Sequence, residues 1–428
     1  MVFDSNQPSF NGNSTMTPYT AFEYLLIDAA NQMGHDKWLF EQRIQWCYDN
    51  FDNLENLECN EKTRPQYLKA VMAIRTAQRG EPVGHLVGLD ACCSGMQIMS
   101  ALGGCESGAQ ATNLINTGFR QDAYSLVTTA ASTHLGESVG EIKRSDIKTA
   151  TMTHFYGSKA EPKNLFGEDT PELEAFYQGV EMVAPIANEM RDDLINTWQP
   201  YAMKHSWVLP DNFHSIVKSV DVFETRVEVD EMEGASFEYI YKQDCGVERA
   251  VKNAANVIHS IDAYVLRSMH RRCNYDREAI TKVMQLVWGE LMDRHSGKCE
   301  AEVARDDKLA VYEDLYDRTN MVDAVIFNHI NAVNVCQLET DHLEALCALW
   351  DTMRVHEPFE LVTVHDEFKC HPNFCNEMRQ HYINIFAELA DSNILDDIVH
   401  QITGSHVSYD RSIHNLSELI RDSEYALS

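Results

Sequence analysis

GHLVGLDACCSGMQ, residues 84–97, holds a short apolar run that is bounded by glycine and ends on an aspartate. Runs of this length and composition are typical of buried strands, so we predict a strand over Gly84–Leu89 that leads directly to Asp90. A charged side chain at the end of a buried strand is costly unless it binds something. Asp90 is therefore a candidate site residue, although an aspartate in a tight turn or at a helix N-cap would give the same pattern.

A second aspartate stands in a similar setting far along the chain. Glu360–Lys369 is strand-like, with apolar residues on both sides of His365 and Asp366. Two facing aspartates from distant strands suit two Mg²⁺ ions, which take oxygen ligands and leave positions open for substrate phosphates. Such an ion pair activates an attacking oxygen and neutralises the leaving oxygen during phosphoryl transfer. Taken singly, Asp366 also fits a turn or an N-cap.

Cationic and aromatic residues lie between these two aspartates. A helix is predicted over Ile142–Phe155, and on it Arg144 and Lys148 are one turn apart and share a face. Tyr156 is rotated by only about 80° from Lys148 on the same helical wheel. Two cations on one face would grip a triphosphate, and Lys148 would protonate the departing pyrophosphate. The alternative is a solvated basic stripe with a tyrosine at the helix end.

Length, composition and charge restrict the class of function. The 428 residues, 44% of them hydrophobic, allow one large multi-lobed domain or two to three ordinary ones. We see neither a secretory signal nor a membrane-spanning run, so we expect a protein that works in a cytosol. The twelve cysteines fit free thiols better than a disulfide framework. A zinc site at Cys370, His371 and Cys375 or at His295 and Cys299 lacks a second matching pair.

The net charge of −31 excludes a broadly basic surface. Proteins that bind nucleic acid by themselves usually carry a basic face. Any polynucleotide contact of this chain must therefore be local, assisted by metal ions, or shared with a basic partner. On charge alone, an acidic enzyme acting on a small substrate is the simpler interpretation.

Most of the remaining chain is predicted to be helical. Apolar residues recur at helical spacing in Tyr19–Phe51, Gln66–Gln78, Gly95–Leu102, Gly108–Ser132, Ala175–Trp198, Cys245–Met353 and Glu377–Ser428. Ser215–Tyr241 differs, because valines and aromatic residues alternate there with charged ones around Glu233-Gly234-Ala235. That alternation predicts a β-hairpin.

Taken together, these elements resemble a known family. Asp90-Ala91-Cys92-Cys93-Ser94-Gly95-Met96-Gln97 resembles motif A of the single-subunit phage and mitochondrial RNA polymerases, Arg144 to Lys159 resembles motif B, and Val364-His365-Asp366-Glu367 resembles motif C. The segments 34–44, 113–124, 256–262 and 423–428 are similar as well. The resemblance runs, with interruptions, from about Tyr19 to Ser428.

This resemblance implies a role for each matching residue. The expected ligands of the two Mg²⁺ ions are Asp90, the carbonyl of Ala91 and Asp366, with His365 supporting Asp366. The expected triphosphate ligands are Lys37, Arg144 and Lys148. The expected readers of the ribose 2′-hydroxyl are Tyr156, which precedes Gly157, and His259.

The choice between RNA and DNA synthesis depends on Gly95. DNA polymerases of the same superfamily share the motif B pattern, and motif C here is closer to theirs, but they carry a glutamate five residues after the motif A aspartate. Gly95 leaves room for a 2′-hydroxyl, and a deoxyribose would leave the polar groups of Tyr156 and His259 unpaired. The sequence therefore favours RNA synthesis. The alternatives are a fragment of a DNA polymerase and a non-catalytic accessory protein with a polymerase fold.

The resemblance implies an α+β fold with a right-hand polymerase core. We expect a palm with a small antiparallel sheet from residues 1–105 and 343–428. Mostly helical fingers are expected over 106–342, with the hairpin at 215–241 and a helical insertion over about 269–342. The family's N-terminal promoter domain, its thumb and its Thr/Asp-x-x-Gly-Arg element have no counterpart in this sequence.

We therefore expect a heterodimer in which a second, more basic subunit carries the thumb and the missing arginine element. This arrangement resembles the two-subunit phage RNA polymerases of schitovirus-type podoviruses, and it implies the cytoplasm of an infected bacterial host as the location. The other expected partners are the DNA template, nascent RNA and nucleoside triphosphates. Glu161 replaces an aromatic residue that contacts downstream DNA in the family, so we also expect a single-stranded-DNA-binding or promoter accessory protein.

Overall fold

The computed structural model describes residues 16–136, 142–297, 303–406, 409 and 413–428. Residues 1–15 of the expected palm and 298–302 of the expected insertion lie outside these ranges. Within them the chain has a mixed α+β fold, dominated by helices, with small antiparallel sheets. No helix in the described part is both long and apolar enough to cross a bilayer.

The α-helices of the described ranges are α1 Ala21–Ala30, α2 Phe40–Asp49, α3 Arg64–Gln78, α4 Ser94–Gly103, α5 Glu106–Ala111, α6 Ala123–Leu135, α7 Arg144–Phe155, α8 Ala160–Phe166, α9 Pro171–Val183, α10 Pro185–Asn196, α11 Lys252–Cys273, α12 Arg277–His295, α13 Asp307–Thr319, α14 Thr340–Met353, α15 Cys375–Asp391, α16 Ile394–Thr403 and α17 Leu416–Arg421. The strands are β1 Val87–Asp90, β2 Lys204–Val208, β3 His214–Lys218, β4 Val220–Val229, β5 Ala235–Asp244, β6 Val362–Val364 and β7 Glu367–Cys370. Short 3₁₀ turns occupy Phe51–Asn56, Asp230–Met232, Ala324–Asn328, Val335–Gln337 and Pro372–Phe374.

A three-stranded antiparallel sheet, ordered β1–β7–β6, is the element on which the site is built. The strand predicted over Gly84–Leu89 is confirmed in its second half, since β1 begins at Val87 and includes Asp90. The second prediction was wrong in one respect, because Glu360–Lys369 is a hairpin and not a single strand. Its turn is His365 and Asp366, where the positive φ of 55° at His365 reverses the chain. The apolar residues on both sides of the turn had the composition of one continuous strand.

Helices α15, α4 and α11 pack against one another, and α15 also contacts β7 of this sheet. Every residue of α4 is buried. The Gln97 side chain joins three parts of the chain, since its amide donates to the carbonyls of Thr112 and Ala426, and its oxygen accepts from the Tyr382 hydroxyl at 2.7 Å. Buried polar groups in such a network hold one arrangement of the core.

Several predicted helices are divided in the structure. Tyr19–Phe51 splits into α1 and α2 around a π turn, where Gly34 has a φ of 91°. Ala175–Trp198 splits between Val183 and Pro185, because proline starts a helix well but interrupts one internally. Gly108–Ser132, Cys245–Met353 and Glu377–Ser428 are likewise divided by turns. Helical spacing of apolar residues continued across these breaks, so it did not locate them.

The predicted hairpin is present as β4 and β5, with Val227 opposite Phe237 in its register. It ends three residues later than predicted, and β2 and β3 form a separate two-stranded sheet before it. One face carries apolar and aromatic side chains, among which the rings of Tyr239 and Tyr241 stack with centroids 5.7 Å apart. Both of these tyrosines are exposed.

A second hydrophobic core lies apart from the main one. It comprises residues between Ile280 and Met353 from helices α12, α13 and α14 and the turns between them. The main core takes in α11 as far as Cys273. The expected insertion over 269–342 thus overlaps a segment with its own core, although that core extends about one helix further along the chain.

Candidate functional site

The end of β1 and the turn between β6 and β7 lie side by side. Asp90 pairs with Glu367 across the sheet, and the N–H of Ala91 donates to the carbonyl of Asp366 at 3.2 Å. Residues directly opposite each other in an antiparallel pair project to the same face. The carboxylates of Asp90 and Glu367 therefore share one face, beside Asp366 at the turn.

A cavity of about 940 Å³ opens over this edge of the sheet. Nine of the residues predicted for the site line it, from segments that are up to 330 positions apart: Lys37, Asp90, Ala91, Gly95, Lys148, Tyr156, His259, His365 and Asp366. Two predicted residues, Arg144 and Gly157, are not part of the lining. Tertiary folding thus brings most of the predicted residues together.

The carboxylates of the cavity repel one another. Asp90 is accessible from the cavity, yet the surrounding protein and the charges of Asp366 and Glu367 raise its pKa to about 6, against the opposing effect of Lys37 and Lys148. Burial and the charge of Asp366 also raise the pKa of Asp262 to about 6. The sequence reasoning did not single out Asp262. The available signal was its position three residues after His259, on the same face of one helix.

This arrangement bears on metal binding. The described residues contain no group of three or more His, Cys, Asp or Glu side chains placed to hold a metal ion. Asp90 and Asp366 nevertheless offer hard oxygen donors, as Mg²⁺ requires, and Mg²⁺ takes few protein carboxylates and completes its shell with water and substrate phosphates. A divalent cation would relieve the repulsion that raises the pKa of Asp90, so the residues present fit such an ion.

The cationic residues of the site differ in their partners. The Lys37 ammonium lies 2.9 Å from the carboxylate of Asp36. The Lys148 ammonium lies 5.7 Å from the centre of the Tyr124 ring. The Arg144 guanidinium pairs with Asp122 at 2.6 Å, which holds it beside the cavity wall.

Tyr156 and His259 are in contact, with ring centroids 4.3 Å apart. Burial raises the pKa of Tyr156 to about 12, and burial lowers the pKa of His259. At neutral pH both therefore present uncharged polar groups to the cavity. Gly157, with a φ of 82°, ends the segment in a conformation that favours glycine.

The last residues of the sequence also reach the site, which sequence reasoning did not anticipate. The N–H of Ser428 donates to the carbonyl of Asp90 at 3.0 Å, and Leu427 forms a β-bridge with Ala91. Arg120, another lining residue that was not predicted, donates to the Ser428 hydroxyl at 3.1 Å. No local motif signals these contacts, since the partners are hundreds of residues apart.

Comparison with known proteins places the chain in an enzyme class. Residues 17–162 match the family model described as DNA-dependent RNA polymerase. The chain is accordingly a nucleotidyltransferase. The matched segment, which includes Lys37, Asp90 and Lys148, is a domain of the DNA-dependent RNA polymerase family. A search of curated proteins gave no match.

Proposed function

We propose that this chain catalyses DNA-templated RNA synthesis by two-metal-ion nucleotidyl transfer, as the catalytic subunit of a heterodimeric phage RNA polymerase. One observation carries the proposal. A single cavity gathers Asp90, Lys148, Tyr156 and Asp366 from segments that are distant in sequence. The polymerase family match over residues 17–162 supports it. In this proposal the three-stranded sheet is the centre of the palm, and the helices between α5 and α13 form the fingers.

The carboxylate side of the cavity is the catalytic side. Asp90, the carbonyl of Ala91 and Asp366 would hold two Mg²⁺ ions, which activate the attacking 3′-oxygen and neutralise the leaving oxygen when bound. His365 supports Asp366, because its left-handed backbone forms the turn that presents this carboxylate. The antiparallel pairing of β1 with β7 fixes the two carboxylates relative to each other.

The cationic side binds the triphosphate. Lys37 and Lys148 attract the phosphate oxygens, and Lys148 donates a proton to the departing pyrophosphate. Arg144, which the sequence predicted for the same role, is paired with Asp122 and is not part of the lining. Lys37 and Lys148 offset part of the repulsion between the triphosphate and the carboxylates of the cavity.

The contact between Tyr156 and His259 reads the sugar. Both groups are uncharged at neutral pH and partly buried. A bound deoxyribose has no 2′-hydroxyl to form a hydrogen bond with them, and leaving buried polar groups without a partner costs free energy. Gly95 lies next to the Tyr156 hydroxyl, and because it has no side chain it leaves space beside that hydroxyl. A 2′-hydroxyl is therefore accommodated and bonded at this point.

The charge of the chain favours a partner. With a net charge of −31, the chain repels a polynucleotide at long range, and phosphate contacts supply most of the affinity in nucleic-acid binding. We propose that a more basic second subunit provides those contacts and the thumb. An accessory protein that binds single-stranded DNA would then deliver the opened template.

Primer extension tests the proposal. An RNA primer annealed to a DNA template is offered with ribonucleotides and Mg²⁺ to the wild-type chain and to Asp366→Asn, with competing deoxynucleotides in a second series. We expect extension by the wild type, preference for ribonucleotides, and no extension by the variant, whose thermal unfolding should stay cooperative. Extension by Asp366→Asn would contradict the assigned site. Efficient transcription of duplex DNA by the chain alone would contradict the need for a partner.

A further inference from the structure

Arg120 is a cationic residue of the cavity that the sequence motifs do not include. It lies in the loop before α6, two residues ahead of Asp122. Its Nε donates to the Ser428 hydroxyl at 3.1 Å, and its Nη2 donates to the Cys92 sulfur at 3.4 Å. These contacts fix one edge of the guanidinium beside the strand end that carries Asp90.

The hydrogen-bond partners of Arg120 are neutral, as are those of the fully buried Arg43. Unlike Arg43, Arg120 lines the cavity. Arg271 and Arg272, which lie on α11, are paired with the carboxylates of Asp323 and Glu388. Among the described residues Arg120 forms no ion pair. A guanidinium that is held in place but not neutralised is suited to an anionic ligand, and its planar fork matches phosphate oxygens.

Two neighbours show which side of the cavity Arg120 faces. The hydrogen bond from Lys37 and the charges of Lys37 and Arg120 lower the pKa of Asp36. Burial and the charge of Arg120 lower the pKa of Arg43 to about 9. Arg120 therefore lies toward the Lys37 side, where positive charges accumulate. Arg144, the arginine that the sequence predicted for the triphosphate, is instead occupied by Asp122 outside the lining.

We propose that Arg120 binds the terminal phosphates of the incoming nucleoside triphosphate and supplies the guanidinium of this site together with Lys37. This inference rests on the proposed function for its substrate class. Arg120 acts here as a specificity residue for the triphosphate group, because its contacts to Cys92 and Ser428 hold it ready before substrate enters. The preorganised fork reduces the entropy lost on binding.

The test compares Arg120→Met, Arg120→Lys and the control Arg79→Met, in which an exposed arginine outside the cavity is replaced. Equilibrium binding of a fluorescent ribonucleoside triphosphate and of the matching monophosphate is measured with Mg²⁺, together with KM and kcat in primer extension. Loss of a charge-assisted hydrogen bond should weaken triphosphate binding and raise KM by roughly ten- to a hundredfold in Arg120→Met. Monophosphate binding and kcat should change by less than about threefold, since the reacting groups are untouched.

Arg120→Lys should recover part of the triphosphate affinity, because it keeps the charge and loses the fork. Equal weakening of monophosphate and triphosphate, or unchanged triphosphate binding with weaker primer–template binding, would overturn the inference. Should Arg120→Met fail to fold, Arg120→Lys and Arg120→Gln carry the same comparison. The binding measurement needs no turnover, so triphosphate binding that depends on Arg120 would stand even if Asp366→Asn extended a primer as well as the wild type, the outcome that contradicts the proposed function.

Discussion

A Cβ atom added at Gly95 would lie 3.2 Å from the hydroxyl oxygen of Tyr156, closer than ordinary van der Waals contact. Tyr156 follows α7, and Gly95 belongs to the first turn of α4, so this contact joins the segments that resemble motifs B and A. The hydroxyl occupies its place because residue 95 has no side chain. In the proposed function this contact sets the position of the group that reads the ribose.

Substitution of Gly95 by alanine should disturb the Tyr156 hydroxyl. We expect kcat/KM for ribonucleotides to fall roughly tenfold, about 1.4 kcal/mol of transition-state stabilisation, because a small displacement weakens a hydrogen bond without abolishing it. Primer extension with each nucleotide class measures the effect. Gly289→Ala is the matched control, since a Cβ there meets no atom of the described residues within 4 Å. Unchanged kinetics in Gly95→Ala would remove the role assigned to this contact.

Removal of the Tyr156 hydroxyl should relax the choice of sugar. In Tyr156→Phe the ring still packs against His259, but the group that bonds a 2′-hydroxyl is lost. We expect the preference for ribonucleotides to fall by about tenfold or more, while total extension with deoxynucleotides rises or stays constant. Competition between the two nucleotide classes on one template reports this ratio. A preserved ratio would assign sugar selection to other residues.

Asp90 should destabilise the metal-free chain at neutral pH. Its pKa is about 6 in the folded chain against an ordinary value of 3.8, so folding favours the protonated form. The resulting stability is fully present below about pH 4 and is lost as the pH rises through 6. Asp90→Asn should therefore raise the melting temperature in EDTA more at pH 7.5 than at pH 4.5, while abolishing synthesis. Mg²⁺ should stabilise the wild type and not this variant, and equal responses to Mg²⁺ would argue against Asp90 as a ligand.

A buried glutamate that does not line the cavity should show the same pH dependence without any role in catalysis. Burial raises the pKa of Glu377, at the start of α15, from 4.5 to about 7, and its Oε2 atom has no hydrogen-bond partner among the described residues. Stability should be lost as the pH rises from about 4.5 through 7. Glu377→Gln should therefore be more stable than the wild type at pH 8 by on the order of 2 kcal/mol, and by little at pH 4.5.

Urea denaturation at the two pH values measures this difference. Asp351→Asn, at an exposed carboxylate on α14, serves as the control. If Glu377→Gln is less stable than the wild type at both pH values, the prediction is wrong, and the carboxylate stabilises the folded chain through a contact of its own.

The sequence by itself was informative wherever the signal was local. A glycine-bounded apolar run was enough to predict the strand that ends at Asp90, and alternation was enough to predict the hairpin of β4 and β5. Lys148, Tyr156 and Asp366 were predicted from their positions in motifs to share one site, and the structure brings all three to one cavity. The ends of helices were harder to predict, because the helical spacing of apolar residues continued through Gly34 and Pro185.

Only the tertiary structure decided which charged side chains face the cavity and which form ion pairs with one another. Arg144 is paired with Asp122, whereas Arg120, in the lining of the cavity, forms no ion pair within the part of the chain that the structure describes. The proximity of Asp262 to Asp366, and of Ser428 to Asp90, likewise depends on contacts between distant segments. Long-range packing fixes these distances, and Coulomb and hydrogen-bond energies depend on distance and burial rather than on spacing along the chain.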